Sequence, residues 1–139
     1  MKLHFFVGIL ALIFFPIDEL QAQKSDEVIG LYWSPKKDAK IKIFKKEGKF
    51  FGQFTWLKTP TKDVHNPQKN LRERDLKGMI FLTNFVFESG KYKNGEVYDP
   101  ESGSTYSCEM WMEQGNLFVK GYVGFSFLGR TEVFEKVGS

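Results

Sequence analysis

Apolar and polar side chains alternate along much of the chain, and this alternation predicts β-strands. In the segment Ala39–Lys45, the apolar residues Ala39, Ile41 and Ile43 occupy every second position, which is the period of a strand with one buried and one wet face. Seven other segments are rich in the aromatic and β-branched residues that suit a half-buried sheet. The eight predicted strands are Val28–Trp33, Ala39–Lys45, Phe50–Leu57, Met79–Glu88, Tyr92–Asp99, Ser104–Glu113, Asn116–Gly124 and Arg130–Val137.

Most connectors between these segments are short. In the turn Lys46–Lys49, for example, Gly48 can supply the positive φ that such a turn requires. Short connectors at near-regular spacing favour an antiparallel up-and-down meander, and a meander of this size avoids exposed edges by closing. We therefore predict an all-β fold, a single antiparallel barrel of about eight strands.

One connector, Lys58–Gly78, is much longer than the others. Loops of this length in small domains are often functional or mobile. Asn70 and Glu73 have the spacing of a capping box, which allows a short helix over Leu71 and Leu76. The sequence leaves three interpretations of this connector open: a lid, a short helix or a mobile loop.

The N-terminal residues have the layout of a secretory signal peptide. Lys2 precedes the unbroken apolar run Phe5–Phe15, Pro16 ends that run, and Leu20–Ala22 offers a cleavage point. The run is shorter than the roughly 20 residues that span a bilayer. We therefore predict a signal peptide at residues 1–22, one barrel domain at residues 23–139 with no transmembrane segment, and export to the periplasm or the medium.

Charge and composition narrow the possible partners. Removal of residues 1–22 leaves 19 basic and 15 acidic side chains, a net charge of +4. These charges are scattered along the sequence, so we expect no nucleic-acid partner. About 117 residues are enough for one modest core and one domain, which we expect to be a monomer.

Three glycines lie near the last predicted hairpin. Gly121 and Gly124 fall where this hairpin must bend, and Gly129 ends its turn. Glycine inside or beside strands marks bulges and corner turns. We therefore expect these glycines to shape the closure of the barrel.

Arg130 begins the last predicted strand, which must neighbour the first strand if the barrel closes. A guanidinium group at that position can lie on an aromatic ring and donate to nearby carbonyls. We expect Arg130 to fasten the closure by contacting Tyr32 or Trp33.

Essentially the whole chain after residue 22, most specifically its second half, resembles a family of secreted bacterial proteins, domain of unknown function 2147. The resemblance rests on Asp99-Pro100-Glu101-x-Gly103-x-x-Tyr106-x-Cys108 and on the glycines and arginine of Gly121–Thr131. It implies a lipocalin-like (calycin-type) barrel and export, and it transfers no catalytic residues because the family's activity is not established. The chain departs from the family pattern at Tyr32-Trp33, at Phe134 and at Asp75, where a proline is common in the family.

Candidate catalytic groups are few. His65 is the single histidine after residue 22, whereas metal and nucleophilic sites gather several such groups. Asp99 and Glu101 form either a carboxylate pair or an ordinary turn, and the sequence Asp-Pro-Glu-Ser-Gly favours the turn. Cys108 alternates in phase with apolar residues, which favours a buried, inert thiol. We expect no enzyme activity, metal site or cofactor.

The composition favours a binding module for a small apolar or amphipathic ligand at the mouth or interior of the barrel. Trp56, Arg72 and Trp111 are the candidate ligand contacts. The alternative is a packed barrel that acts through its surface as an envelope-associated interaction module. Large side chains such as Phe50, Phe54, Trp56 and Trp111 would favour this alternative if they pointed inward, because barrels of about eight strands can be filled by side chains.

Overall fold

The computed structural model describes residue 8 and residues 16–125 and 129–138. The predicted signal peptide, residues 1–22, lies mostly outside these ranges. Helix α1 (Ile17–Ser25) and a 3₁₀ turn (Asp26–Val28) precede the first strand. In the described part of the chain, no helix combines the length and apolarity needed to cross a membrane.

Eight antiparallel strands form a closed barrel in sequence order, as the alternation predicts. Each observed strand lies within two residues of its predicted bounds, because cross-strand burial follows the same period as the sequence. The strands are β1 (Gly30–Trp33), β2 (Ala39–Lys46), β3 (Lys49–Leu57), β4 (Ile80–Glu88), β5 (Lys91–Asp99), β6 (Ser104–Glu113), β7 (Asn116–Tyr122) and β8 (Arg130–Lys136).

Three two-residue hairpins lie at one end of the barrel, here called the hairpin end. Their central residues are Glu47-Gly48, Ser89-Gly90 and Gln114-Gly115, and all six have positive φ. Two consecutive positive φ values define the type I′ turn, whose twist matches that of the flanking strands. These turns therefore fix the register of the pairs β2–β3, β4–β5 and β6–β7.

The barrel closes through a short pairing of β1 with β8. Tyr32 lies opposite Lys136, and Trp33 lies opposite Glu135. Arg130 instead pairs with Gly121 on β7. Tyr32 and Trp33 therefore lie at the closure, as expected, while Arg130 lies at the other end of β8.

Arg130 does not make the contact that we expected with the first strand. Its side chain is 87% exposed, and its Nη2 atom lies 2.9 Å from Oε1 of Glu132. Arg130 is five positions along β8 from Glu135, the partner of Trp33, a distance of about 17 Å along an extended strand. The stagger that closes a barrel thus places the arginine out of reach of the first strand.

Glycine is required at Gly129 and favoured at Gly124, near the last hairpin, for two different structural reasons. A Cβ atom at Gly129 would lie 2.5 Å from the carbonyl oxygen of Gly121, so no larger residue fits there. Gly124 has a φ of 79°, in the left-handed region that glycine favours. The turn residues 126–128 lie outside the described residues.

The long connector crosses the opposite end of the barrel, here called the connector end. It contains one 3₁₀ turn, Lys69–Leu71, in place of the helix that the capping-box spacing allowed. Lys62 and Asp75 form an isolated β-bridge, and Leu76 N–H donates to the Thr61 carbonyl at 3.0 Å. These backbone hydrogen bonds hold Asp75 in the bridge, and the residues on either side of it form turns and bends in place of a helix.

Candidate functional site

The interior of the barrel is filled by its own side chains. Phe50 and Tyr92 are buried with ring centroids 5.0 Å apart. Gly95 faces inward, and a Cβ atom there would collide with the ring of Phe85. At Gly52, a Cβ atom would lie 2.7 Å from a methyl carbon of Leu82. The aromatic rings therefore occupy the space that a ligand would need.

The 3₁₀ turn Asp26–Val28 covers the hairpin end. Val28 is fully buried, and its carbonyl accepts a 2.9 Å hydrogen bond from the hydroxyl of Tyr32. The hydroxyl of Tyr92 donates to the carbonyl of Ser25. Burial and the nearby Glu27 carboxylate raise the pKa of Tyr32 to about 12, so this hydroxyl stays a hydrogen-bond donor at neutral pH.

Asp63 anchors the connector at the opposite end. Its carboxylate is fully buried and accepts hydrogen bonds from the Tyr98 hydroxyl at 2.6 Å, Asn66 Nδ2 at 2.8 Å and Arg74 Nη2 at 3.0 Å. Burial acts to raise the pKa of Asp63, but these donors outweigh it and lower the pKa below its ordinary value. The connector is thus fastened to β5 by an ionised, fully paired carboxylate.

The candidate ligand contacts do not converge on one site. Trp56 is 40% exposed on the outer face of β3. Arg72 lies in the connector, where its Nε atom donates to the Asn66 carbonyl at 2.7 Å. Trp111 lies on β6, stacked on Phe118 with centroids 5.7 Å apart. The two tryptophans thus point away from the interior, whereas Phe50 is buried inside it.

The groups considered for catalysis have structural roles. Asp99 accepts the backbone N–H of Glu101 at 3.0 Å and the hydroxyl of Ser102 at 2.9 Å, which confirms the turn. Cys108 is fully buried, and burial raises the pKa of its thiol to about 12. Within the described ranges, no three histidine, cysteine, aspartate or glutamate residues lie close enough to share a metal ion.

A different feature lies on the outer surface of the first three strands. Buried Ala39, Ile41 and Ile43 alternate along β2 with outward-facing residues, and the pairing with β1 and β3 places aromatic side chains beside these residues. We call this surface the basic face. It comprises Trp33, Lys40, Lys42, Phe44, Lys46, Lys49, Phe51 and Trp56.

Lysines and aromatic rings are in direct contact on the basic face. The rings of Trp33 and Trp56 meet edge to face at 5.9 Å, with Lys40 Nζ 4.6 Å from the first centroid and 5.5 Å from the second. Phe44 stacks on Phe51 at 5.6 Å. Such contacts hold the lysine stems against apolar surface while the ammonium groups stay in water.

Two adjacent depressions border this face. The first, of about 270 Å³, is lined by Phe44, Lys46, Glu47, Lys49, Phe51, Ile80 and Asn84. The second, of about 500 Å³, shares Ile80 and extends to the end of the connector at Arg74 and Lys77. Ile80 itself is 44% exposed between them. The basic face therefore continues as a shallow surface with apolar and cationic groups, among which the carboxylates of Glu47 and Asp75 also lie.

The lysines of the basic face lack anionic partners. In the described part of the chain, none of Lys40, Lys42, Lys46 and Lys49 forms an ion pair. Residues 30–57 carry seven lysines and two carboxylates, whereas residues 80–136 carry five basic and eight acidic residues. The lysines are therefore clustered on this side of the barrel and not scattered as expected. Lys40, Lys42 and Lys46 can be seen in the sequence, but the aromatic rings beside them depend on the register with β1 and β3.

Comparisons with known proteins place the chain in a family. The sequence profile of domain of unknown function 2147, described as an uncharacterised protein conserved in bacteria, matches residues 30–136. The chain belongs to this family. No curated protein matches the chain significantly.

A solved structure shares the fold. It is protein HP1028 from the human pathogen Helicobacter pylori, described as belonging to the lipocalin family. The two structures superpose with a TM-score of 0.73 at 24% sequence identity, over 81% of this chain and 84% of the other. The expected lipocalin-like barrel is thus confirmed.

Proposed function

We propose that this protein is an exported binding module that takes an amphipathic ligand on its basic face and not inside the barrel. The observation that carries the proposal is the contrast between a filled interior, where Phe85 occupies the space over Gly95, and a surface of half-buried aromatic rings and lysines for which the described residues show no ion pair. Ligand sites combine apolar walls with a few placed polar groups, and the basic face offers both. The lipocalin-like fold and an uncharacterised family are compatible with binding.

The ligand class follows from the chemistry of the face. Lysine ammonium groups attract anions, and the rings of Phe44, Phe51 and Trp56 bind apolar chains. An amphipathic anion, with a charged head and an apolar tail, satisfies both. The depression between Phe51 and Ile80 is open to solvent and needs no movement of the connector.

A fluorescent amphipathic anion, anilinonaphthalene sulfonate, tests this proposal. Phe51→Ala should weaken its binding about tenfold, the loss expected from one well-placed aromatic contact. Phe118→Ala is the matched control, because Phe118 also faces outward and also stacks on a neighbouring ring. Equal affinity of both variants and the wild type would contradict the proposal, and fatty-acid displacement unaffected by Phe51→Ala would favour an interior site.

Export has its own test. Cleavage after Ala22 should leave a protein that begins at Gln23, as the layout of the N-terminal residues predicts. Intact-mass measurement of protein from its bacterial host identifies the first residue. A mass that includes residues 1–22 would contradict export by this route.

A further inference from the structure

We infer that the basic face binds the surface of an anionic lipid membrane, which makes the protein a peripheral membrane protein. This inference rests on the proposed function and specifies its ligand as a layer of lipids. It comes from the arrangement of charges on the face, from the apolar groups between them and from the extent of the surface.

Lysines of the basic face lie where their mutual repulsion lowers the stability of the barrel. Lys46 lies directly opposite Lys49 in the β2–β3 register, and like charges directly opposite each other are unfavourable. Lys42 lies between Leu31 and Gln53 in the same register, with no carboxylate on either side. Glu47 lies in the turn between Lys46 and Lys49, but among the described residues it forms no ion pair with either of them. Water and salt or a partner can therefore supply the counter-charge, and an anionic surface supplies it to several lysines together.

The face is larger than one small ligand. Lys40 and Lys46 are six residues apart on β2, or about 20 Å along an extended strand. Three of the four outward positions over this distance carry lysines, Lys40, Lys42 and Lys46, with Phe44 between the last two. A single anion can neutralise one or two of them, whereas an array of lipid headgroups can neutralise all of them.

The apolar groups distinguish a membrane from a soluble polyanion. Trp56 and Ile80 are 40% and 44% exposed beside the lysines. A membrane interface offers charged headgroups to ammonium groups and an apolar layer to isoleucine and indole side chains, which are favoured at that depth. A sulfated polysaccharide supplies only the charge, so it leaves these apolar side chains in water.

The opposite side of the barrel provides an internal reference. Trp111 also lies under a lysine, with Lys91 Nζ 5.1 Å from its centroid, but its Nε1 atom donates to the Glu113 carboxylate at 3.0 Å. Lys120 lies opposite Glu109. The same residue types thus occur there with carboxylates beside them, so that side should not bind an anionic membrane.

Vesicle binding tests the charge requirement. The protein purified after export should sediment with vesicles of equal parts phosphatidylglycerol and phosphatidylcholine and only weakly with pure phosphatidylcholine. Lys42→Gln with Lys46→Gln should weaken binding about 25-fold, because each lysine near an anionic surface strengthens binding about fivefold. The control, Lys91→Gln with Lys120→Gln, removes the same charge from the other side and should change binding less than about fivefold, because those lysines lie beyond the screening length.

Tryptophan fluorescence tests the orientation without removing any charge. The chain has three tryptophans. Trp111→Phe keeps Trp33 and Trp56, and its emission should shift to the blue on anionic vesicles. The variant Trp33→Phe with Trp56→Phe keeps Trp111, and its emission should not shift. Thermal melting of every variant verifies that the barrel is folded.

Several results would overturn the membrane assignment. They are equal binding to charged and uncharged vesicles, equal losses in the two lysine variants, a blue shift from Trp111 alone, and binding to heparin without binding to vesicles, which would indicate a soluble polyanion. Binding of anilinonaphthalene sulfonate separates the two proposals. If the probe binds in a Phe51-dependent way and vesicles do not bind, only the membrane assignment fails.

Discussion

Charged groups of the described residues are paired in one region of this molecule and unpaired in another. The first region is the core with the connector that covers it, and the second is the basic face. Asp63 is fully buried, and its carboxylate has three hydrogen-bond donors. Among the described residues, every buried side-chain nitrogen or oxygen has a hydrogen-bond partner. The lysines of the basic face, in contrast, have no ion pairs within the same described residues.

This difference shows where binding capacity remains. In the core, the aromatic rings already pack against other side chains, and the Asp63 carboxylate already has its hydrogen-bond donors. A ligand would have to replace these contacts. On the basic face, like charges lie side by side and the aromatic rings are half-buried, so a ligand can gain contacts with their exposed parts. A fold of the lipocalin type can therefore be a binding module through its outside.

The largest expected effect concerns Cys108, whose rate of reaction with a thiol reagent should differ between the native and the unfolded protein. The thiol is fully buried and its pKa is raised to about 12, so a thiol reagent should reach it only after the barrel opens. Unfolding free energies of about 5 kcal/mol or more imply native labelling at least about a thousandfold slower than labelling in denaturant. Labelling followed by mass spectrometry measures this ratio. Rapid native labelling, or a covalent dimer on a non-reducing gel, would contradict a closed interior.

Phe85→Ala should cause the largest loss in the free energy of unfolding. Its ring is fully buried against Gly95, and removal of a buried phenylalanine side chain typically costs about 3–5 kcal/mol. Phe51→Ala is the control on the basic face, where the ring is only half-buried and the cost should be below about 1.5 kcal/mol. Chemical denaturation measures both. Similar losses for the two variants would mean that interior and face do not differ in packing.

Asp63 tests the paired charge beneath the connector. In Asp63→Asn, an amide N–H₂ group would face the donors of Asn66 and Arg74, and leaving buried donors unpaired costs about 1–3 kcal/mol. The folded pKa of Asp63 lies below its ordinary value, so its stabilisation is present above about pH 4 and is lost as the pH falls through the folded pKa.

The difference in unfolding free energy between wild type and Asp63→Asn should therefore be constant near neutral pH and should shrink below about pH 4. Denaturation at neutral and at acid pH measures it. A difference that is absent at neutral pH, or unchanged at acid pH, would show that the carboxylate does not hold the connector through these hydrogen bonds.

The sequence predicts the barrel well because the strands and turns are local features. Alternation at Ala39, Ile41 and Ile43 and the glycine at position 48 each determine local structure without knowledge of distant residues. The filled interior could not be predicted, because the contact of Phe85 with Gly95 depends on the β4–β5 register. The position of Arg130 depends on the stagger of the whole barrel, and this stagger cannot be predicted from any single segment of the sequence.

The smallest expected effect concerns the basic face and has the opposite sign to the interior variants. Lys46 lies opposite Lys49, so Lys46→Gln should remove a repulsion and raise the free energy of unfolding by about 0.3 kcal/mol, near the lower end of the range for cross-strand pairs. Screening shortens the reach of exposed charges as salt rises, so the gain should be measurable in low salt and should vanish in about 1 M salt.

Denaturation of Lys46→Gln and of the control Lys120→Gln at both salt concentrations measures this difference. Because Lys120 faces Glu109 across β6 and β7, the control should lose a little stability in low salt instead. A loss of stability in Lys46→Gln would show that its charge is already neutralised within the protein, and the case for an external anion would then lose its physical basis.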